Sequence, residues 1–283
     1  MQMSEWIQVV FALVLAVAAW ITGLTSHPLP LRRRWIVTSL ATAAITIVTI
    51  GRFSAYFLSL DHRPILHDSI TVALFLVPYW QTGQFFLRPN LKIQDRLLAF
   101  DRWLLPGIAA TSGTERTAIG FLLEAAYLFC YPIVPLSLLT LYLAGLRGKV
   151  DSFWFVVLVS TYICYAVTPF VPAFPPRSLI GDQTDRSDRS APAEDTNKGR
   201  TFNRWILKRG SIHAISFPSA HVASAFAIAL VFFRYAPSLG AIFLVVAVLI
   251  SLGAVVGRYH FALDVLLGAA TAWAVFLASH RYF

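Results

Sequence analysis

Three short segments concentrate ionisable side chains whose spacing suits phosphoryl chemistry. The segment GRYHFALDVLLGA brings Arg258, His260 and Asp264 together. On a helix, His260 and Asp264 lie on one face, one turn apart. A carboxylate within reach of an imidazole fixes its tautomer and makes the other nitrogen a better base or nucleophile. The segment FPSAHVA offers Ser219 as an N-cap and places His221 in the first helical turn. Free N–H groups of Ala220, His221 and Val222 there would form an anion site, with His221 placed to give the anion a proton. The segment TPFVPAFPPRSL delivers Arg177 behind Pro175 and Pro176, which stiffen the backbone and aim the guanidinium. Arginine grips phosphate bidentately and stays charged when desolvated. Jointly they describe a phosphoryl-transfer site without metal.

Each piece alone has a plainer reading. A histidine at a membrane boundary is often structural, as is an isolated His–Asp pair. Arg177 could simply mark the membrane surface. Glu124, inside an apolar run, is an accessory site candidate or a structural hydrogen-bonding group. His67, Asp68 and His213 read as boundary or loop residues. A metal reading would take His221, His260 and Asp264 as ligands, but the neighbouring arginines would repel the cation. The three segments together are far more specific than any one.

The elements that must carry them are apolar. The chain has 283 residues, 57% of them hydrophobic and 13% charged, with a mean hydropathy of +0.66; a soluble domain carries about 25% charged residues. Runs of about 20 apolar residues span a bilayer. The pattern predicts an all-α, multi-pass transmembrane bundle with eight spans, near 6–24, 35–57, 66–87, 118–145, 152–172, 218–235, 238–257 and 261–279. The third contains Pro78 and YWQTGQ, so it is kinked or faces the bundle interior; the fourth contains Glu124 and the pair Pro132 and Pro135. The N-terminus lacks the basic region and cleavage site of a signal peptide, and the first span reads as retained. Cys130 and Cys164, inside apolar spans, read as packing residues with no disulfide.

Two polar segments stand apart. RLLAFDRWLLPG separates leucines and aromatics from Asp95, Arg96, Asp101 and Arg102, a pattern that suits a helix lying on the membrane surface. Residues 178–213 form a hydrophilic loop by composition. The net charge of +9 fits either headgroup-facing loops or an anionic substrate; no nucleic-acid-binding motif is present. With eight spans, the loops at 25–34, 88–117 and 173–216 share the face of His221 and hold most of the arginines. Counted by the positive-inside rule, that face is cytosolic.

FPSAHVA and RYHFALDVLLG resemble the second and third signature motifs of the type 2 phosphatidic acid phosphatase superfamily, which shares its fold with vanadium haloperoxidases. The resemblance covers roughly residues 66–279 and implies a six-helix phosphatase core within 61–283, with two additional helices in 1–60. It implies His260 as the nucleophile that forms a phosphohistidine, Asp264 as its orienting partner, and His221 as the acid and then the base. It implies that Arg177, Arg258, Ser219 and Ala220 hold the phosphate oxygens, and that no metal or cofactor is needed. This sequence departs from the family pattern in three ways. No lysine precedes Arg177, Ala220 replaces a glycine, and Ala254 stands where an arginine is usual, leaving Arg258 to serve. An arginine just before the histidine is the style of the inositol phosphorylceramide synthase and sphingomyelin synthase branch.

The expected function is therefore a membrane lipid phosphatase acting on a lipid phosphomonoester or diphosphate. The alternatives are a phospho-headgroup transferase and a catalytically silent lipid-binding or transport protein. The expected partners are a phosphorylated lipid and the bilayer, with no nucleic acid. The family usually carries its site outside the cytosol, and an extracytoplasmic site on the cell membrane is the expectation adopted here against the arginine count.

Overall fold

The structure, a computed structural model, describes residues 2–22, 28–60, 62–106, 118–179 and 215–282. Among these, regular structure is entirely helical. The α-helices are α1 (Met3–Ile21), α2 (Leu31–Ala55), α3 (Arg63–Leu74), α4 (Val77–Gly83), α5 (Leu91–Leu104), α6 (Ala118–Leu128), α7 (Ile133–Leu143), α8 (Val150–Val167), α9 (Ala220–Tyr235), α10 (Pro237–Val256) and α11 (Ala262–Ser279).

The centre is built by α8 and α9. Phe153, Trp154, Val156, Val157 and Leu158 of α8 are sealed from the surroundings, as are Val222, Ala223, Ala225, Ala227, Ile228 and Ala229 of α9. The small residues of α9 let its neighbours approach closely, the usual way membrane helices associate when lipid is as apolar as their own side chains. Helices α10, α11, α6 and α7 pack around this pair. On the other side α1 lies against α8, with Phe11 stacked on Tyr162 at 4.8 Å. Outward-facing Trp6, Val10, Val14, Leu143, Val245 and Trp273 stay exposed, as a bilayer-facing surface should.

Among the described residues, five helices are long and apolar enough to cross a membrane, six if α6 and α7 count as one bent span, so the chain is a multi-pass membrane protein. Eight spans overstate the count. The third expected span is cut into α3 and α4, with Pro78 in the first turn of α4. The sixth is only the 16-residue α9, bounded by Ser219 and Ala236. The fourth bends by 72° between α6 and α7, where Pro132 caps the start of α7.

At the end of α8 remote from the three motifs, Asp68 is buried rather than a boundary residue. Its carboxylate accepts from Trp154 Nε1 at 2.8 Å and from the Tyr142 hydroxyl. Next to it, His67 Nδ1 pairs with the buried Glu5 at 2.6 Å. These bonds tie α3 to α7, α8 and α1, as a carboxylate withdrawn from water requires. The segment 178–213 lies, save for Ser178 and its neighbour, outside the described residues, and so does His213.

Candidate active site

The three motif segments meet at one end of the bundle. Helix α9 begins where Ser219 accepts from Val222 N at 3.5 Å, the expected N-cap. The Ser219 amide donates to the Asp264 carbonyl at 2.9 Å, which joins the starts of α9 and α11. Gly268 makes this approach possible: a Cβ there would lie 2.5 Å from the Ser219 carbonyl oxygen. The strap before Arg177 is stitched in the same way. The Arg177 amide donates to the Arg258 carbonyl at 3.0 Å, and Ala173 accepts from Ile215 N at 3.1 Å.

Within this frame His260 Nδ1 lies 2.9 Å from Asp264 Oδ2, leaving Nε2 for chemistry. Both side chains are buried. Burial lowers the His260 pKa to about 4, so the ring is neutral at ordinary pH. The His221 ring faces His260 edge-on with centroids 6.1 Å apart, and is flanked by Tyr127 and Tyr131 at 6.2 and 5.9 Å. A cavity of about 210 Å³ at His260 is lined by His260, Arg258, Asp101, Arg102 and Pro176, among others; His221, Arg177 and Ser219 are not among its lining residues. Arg258 holds a left-handed backbone, φ 58°, which allows Tyr259 N and His260 N both to donate to the Ala254 carbonyl, at 2.9 and 3.1 Å. Ala254 is fully buried, and two arginines border the cavity, Arg258 and Arg102 of α5.

Two expectations change in detail. The amides at the start of α9 are not all open: Ala220 N donates to Ser216 Oγ at 3.4 Å and Val222 N to Ser219 Oγ. Both bonds are long and therefore weak, and the His221 amide has no partner among the described residues. Glu124 meets Arg177, with Oε1 3.8 Å from the guanidinium. Between them, the Arg177 guanidinium donates to the Tyr259 hydroxyl, which donates to Glu124. Tyr259 also lies under the guanidinium at 4.9 Å and stacks on Tyr127 at 4.2 Å. Glu124 is thus part of the support of Arg177.

Tyr259, Tyr127, Tyr131 and Asp101 were not foreseen as site residues. Asp101 Oδ1 accepts from Ala262 N, the first amide of α11, at 2.8 Å across a separation of 161 positions. Burial raises the Asp101 pKa, opposed by the Ala262 amide and by the charge of Arg258. A sequence signal for it existed: the residue before α11 is Phe261, which cannot cap a helix, so the cap had to come from elsewhere. Among the described residues no group of three or more His, Cys, Asp or Glu side chains could hold a metal ion.

Comparison with known families places this arrangement. A family model described as the PAP2 superfamily matches residues 95–278, starting inside α5 and running through α11. The chain belongs to the PAP2 superfamily. Members of this superfamily are generally phosphatases, and all three motif segments fall within the matched stretch, while α1–α4 lie before it. A PA-phosphatase related-family protein of Dictyostelium discoideum is 31% identical over 115 residues, 38% of this chain and 19% of the relative. This PAP2 chain therefore matches less than a quarter of that relative's length. No solved structure matches.

Proposed function

We propose that this PAP2 chain is an integral-membrane lipid phosphatase that works through a phosphohistidine on His260. The observation that carries the reading is the Asp264-held His260 facing His221 over 6.1 Å beside the cavity that Arg258 borders. Nε2 of His260 attacks phosphorus, and the bond from phosphorus to the lipid oxygen breaks. His221, protonated once the phosphate anion is bound beside it, gives its proton to the departing oxygen. Water then loses a proton to His221 and its oxygen attacks phosphorus; the phosphorus–nitrogen bond breaks and inorganic phosphate leaves. Asp264 stabilises the charge that His260 gains, and Arg177, Arg258, Ser219 and the first amides of α9 hold the phosphate oxygens.

The substrate is a phosphomonoester or diphosphate of a lipid, whose tails stay among the bilayer while the headgroup enters sideways at the starts of α9 and α11. The site faces the extracytoplasmic side. Purified protein incubated with phosphatidic acid, a phosphorylated sphingoid lipid and a polyprenyl phosphate should release inorganic phosphate from at least one, and acid-labile phosphate should be trapped on His260. Release from none of them would overturn the reading.

A second reading, transfer of a phospho-headgroup to a lipid alcohol, is favoured by Arg258 standing just before His260 and by the 5% exposure of His260, which limits water. Adding acceptor alcohols separates the two. Free phosphate as the only product excludes transfer, and a new phosphodiester lipid excludes simple hydrolysis.

A further inference from the structure

The amphipathic helix α5 does not simply lie on a membrane surface. Its apolar side packs into a separate cluster in which Leu97 joins Ala173, Ile215, Phe217 and Phe261. Those four residues come from the Arg177 strap, the approach to α9 and the turn into α11, so a single helix touches all three motif segments. The polar residues of α5 make directed bonds to the same segments. Asp101 Oδ1 accepts from Ala262 N at 2.8 Å. Gln94 Oε1 accepts from Phe174 N at 3.1 Å, three residues before Arg177. The Asn90 amide donates to the Pro172 carbonyl at 2.7 Å, and the Asn90 side chain caps α5 itself.

The two side-chain bonds act on different halves of the site. Phe261 supplies no cap for α11, and Asp264 and the His260 it holds sit within the first turn and just before it. Asp101 therefore sets the position of the His260–Asp264 pair by capping α11 from another element. Gln94 fixes the strap whose next charged residue is Arg177. We propose that α5 is a positioning element of the active site, with Asp101 aligning the His260–Asp264 pair and Gln94 aligning Arg177; the kinetic consequences rest on the phosphatase reading above.

The two residues should separate in kinetics. Losing a cap costs about 0.5–2 kcal/mol, and about 1.4 kcal/mol of it felt at the reacting atoms is tenfold in rate. Asp101→Ala should lower kcat about tenfold; because Asp101 also lines the cavity beside Arg258, its KM is compared with that of Asp101→Asn, which removes the same charge, and the two should agree within about twofold. Asp101→Asn keeps an oxygen that can accept from Ala262 and should recover kcat to within about threefold of wild type. Gln94→Ala should raise KM about fivefold and leave kcat within about twofold, and Gln94→Glu, which keeps the acceptor, should restore KM. Equal loss in Asp101→Asn and Asp101→Ala would show that charge, not the cap, matters and would overturn the assignment; wild-type kcat in Asp101→Ala would do the same.

A second measurement needs no substrate. In detergent-solubilised full-length protein, Asp101→Ala should raise amide hydrogen exchange across 262–266 about tenfold, and Asp101→Asn should not. Unchanged exchange in Asp101→Ala refutes the clamp whatever the activity. Raised exchange in a protein that hydrolyses no lipid upholds the clamp and refutes the phosphatase reading.

Discussion

Arg258 illustrates how a single residue can trade stability for position. Its φ of 58° is a conformation that non-glycine residues hold at a cost of about 1–2 kcal/mol. The turn after α10 is a place where glycine would be at ease, yet a guanidinium stands there, on the cavity that His260 lines. Arg258→Gly should raise the melting temperature slightly while lowering lipid hydrolysis at least about a hundredfold, the usual scale for losing a group that holds developing charge. Full activity in that variant would remove Arg258 from the phosphate seat. His260 makes a pH prediction. Its folded pKa of about 4 lies below the value near 6.5 of an unfolded histidine. Between these values the unfolded chain binds the extra proton, so stability is lost as pH falls from about 6.5 to about 4 and this group adds no pH dependence above that window. Comparing melting temperatures of wild type and His260→Ala across pH 4 to 8 should show the wild type losing ground on the acid side; a difference independent of pH would mean that the ring is not buried in its neutral form. In turnover, His260→Ala should abolish activity without loss of expression, and Asp264→Asn should retain far more than His260→Ala, because in the proposed mechanism Asp264 orients the nucleophile rather than being one.

Between elements, the decisive contact is the crossing of α9 and α11. A Cβ on Gly268 would meet the Ser219 carbonyl oxygen at 2.5 Å and Ala223 N at 3.4 Å. Both are backbone atoms at the start of α9, so no side chain can swing away to make room. Gly268→Ala must separate the two helices, and with them His221 from the His260–Asp264 pair. Overpacking of this kind costs about 1–3 kcal/mol, and the fraction that stays folded should still be poorly active. Gly145 is the informative contrast. It has a φ of 72° and open space around its Cβ position, at the other end of α8 from the site. Gly145→Ala should lower the melting temperature through backbone strain and leave the specific activity of folded protein unchanged. Equal specific activity in both variants would show that the α9–α11 approach does not set the catalytic geometry.

At the scale of the whole molecule, what could be read from sequence was what is local. The Ser219 cap and the four-residue spacing of His260 and Asp264 are each decided within a few residues, and each is found in the structure. What escaped reading depends on distant partners: Asp101 reaches Ala262 over 161 positions, and Asp68 is buried only because Tyr142 and Trp154 converge on it. Sidedness is a property of the same scale. The arginines of 32–34 weigh toward a cytosolic site, but two of them are engaged inside the protein. Arg33 donates to the Gln84 and Phe86 carbonyls at 3.0 and 2.5 Å, and Arg34 to the Leu29 carbonyl at 2.6 Å beside the Trp20 ring. Those bonds close the end of α4 and the entry to α2, giving these charges a structural purpose apart from choosing a side. On the phosphatase reading the basic residues near Arg177 and Arg258 likewise have an anion to hold, and long loops weigh little in the positive-inside rule. A protease-cleavable tag inserted within 181–200 should therefore be cut by protease added outside intact cells, with a tag after Lys149, on the opposite face, protected until lysis. Cleavage of the second tag but not the first in intact cells would place the site in the cytosol.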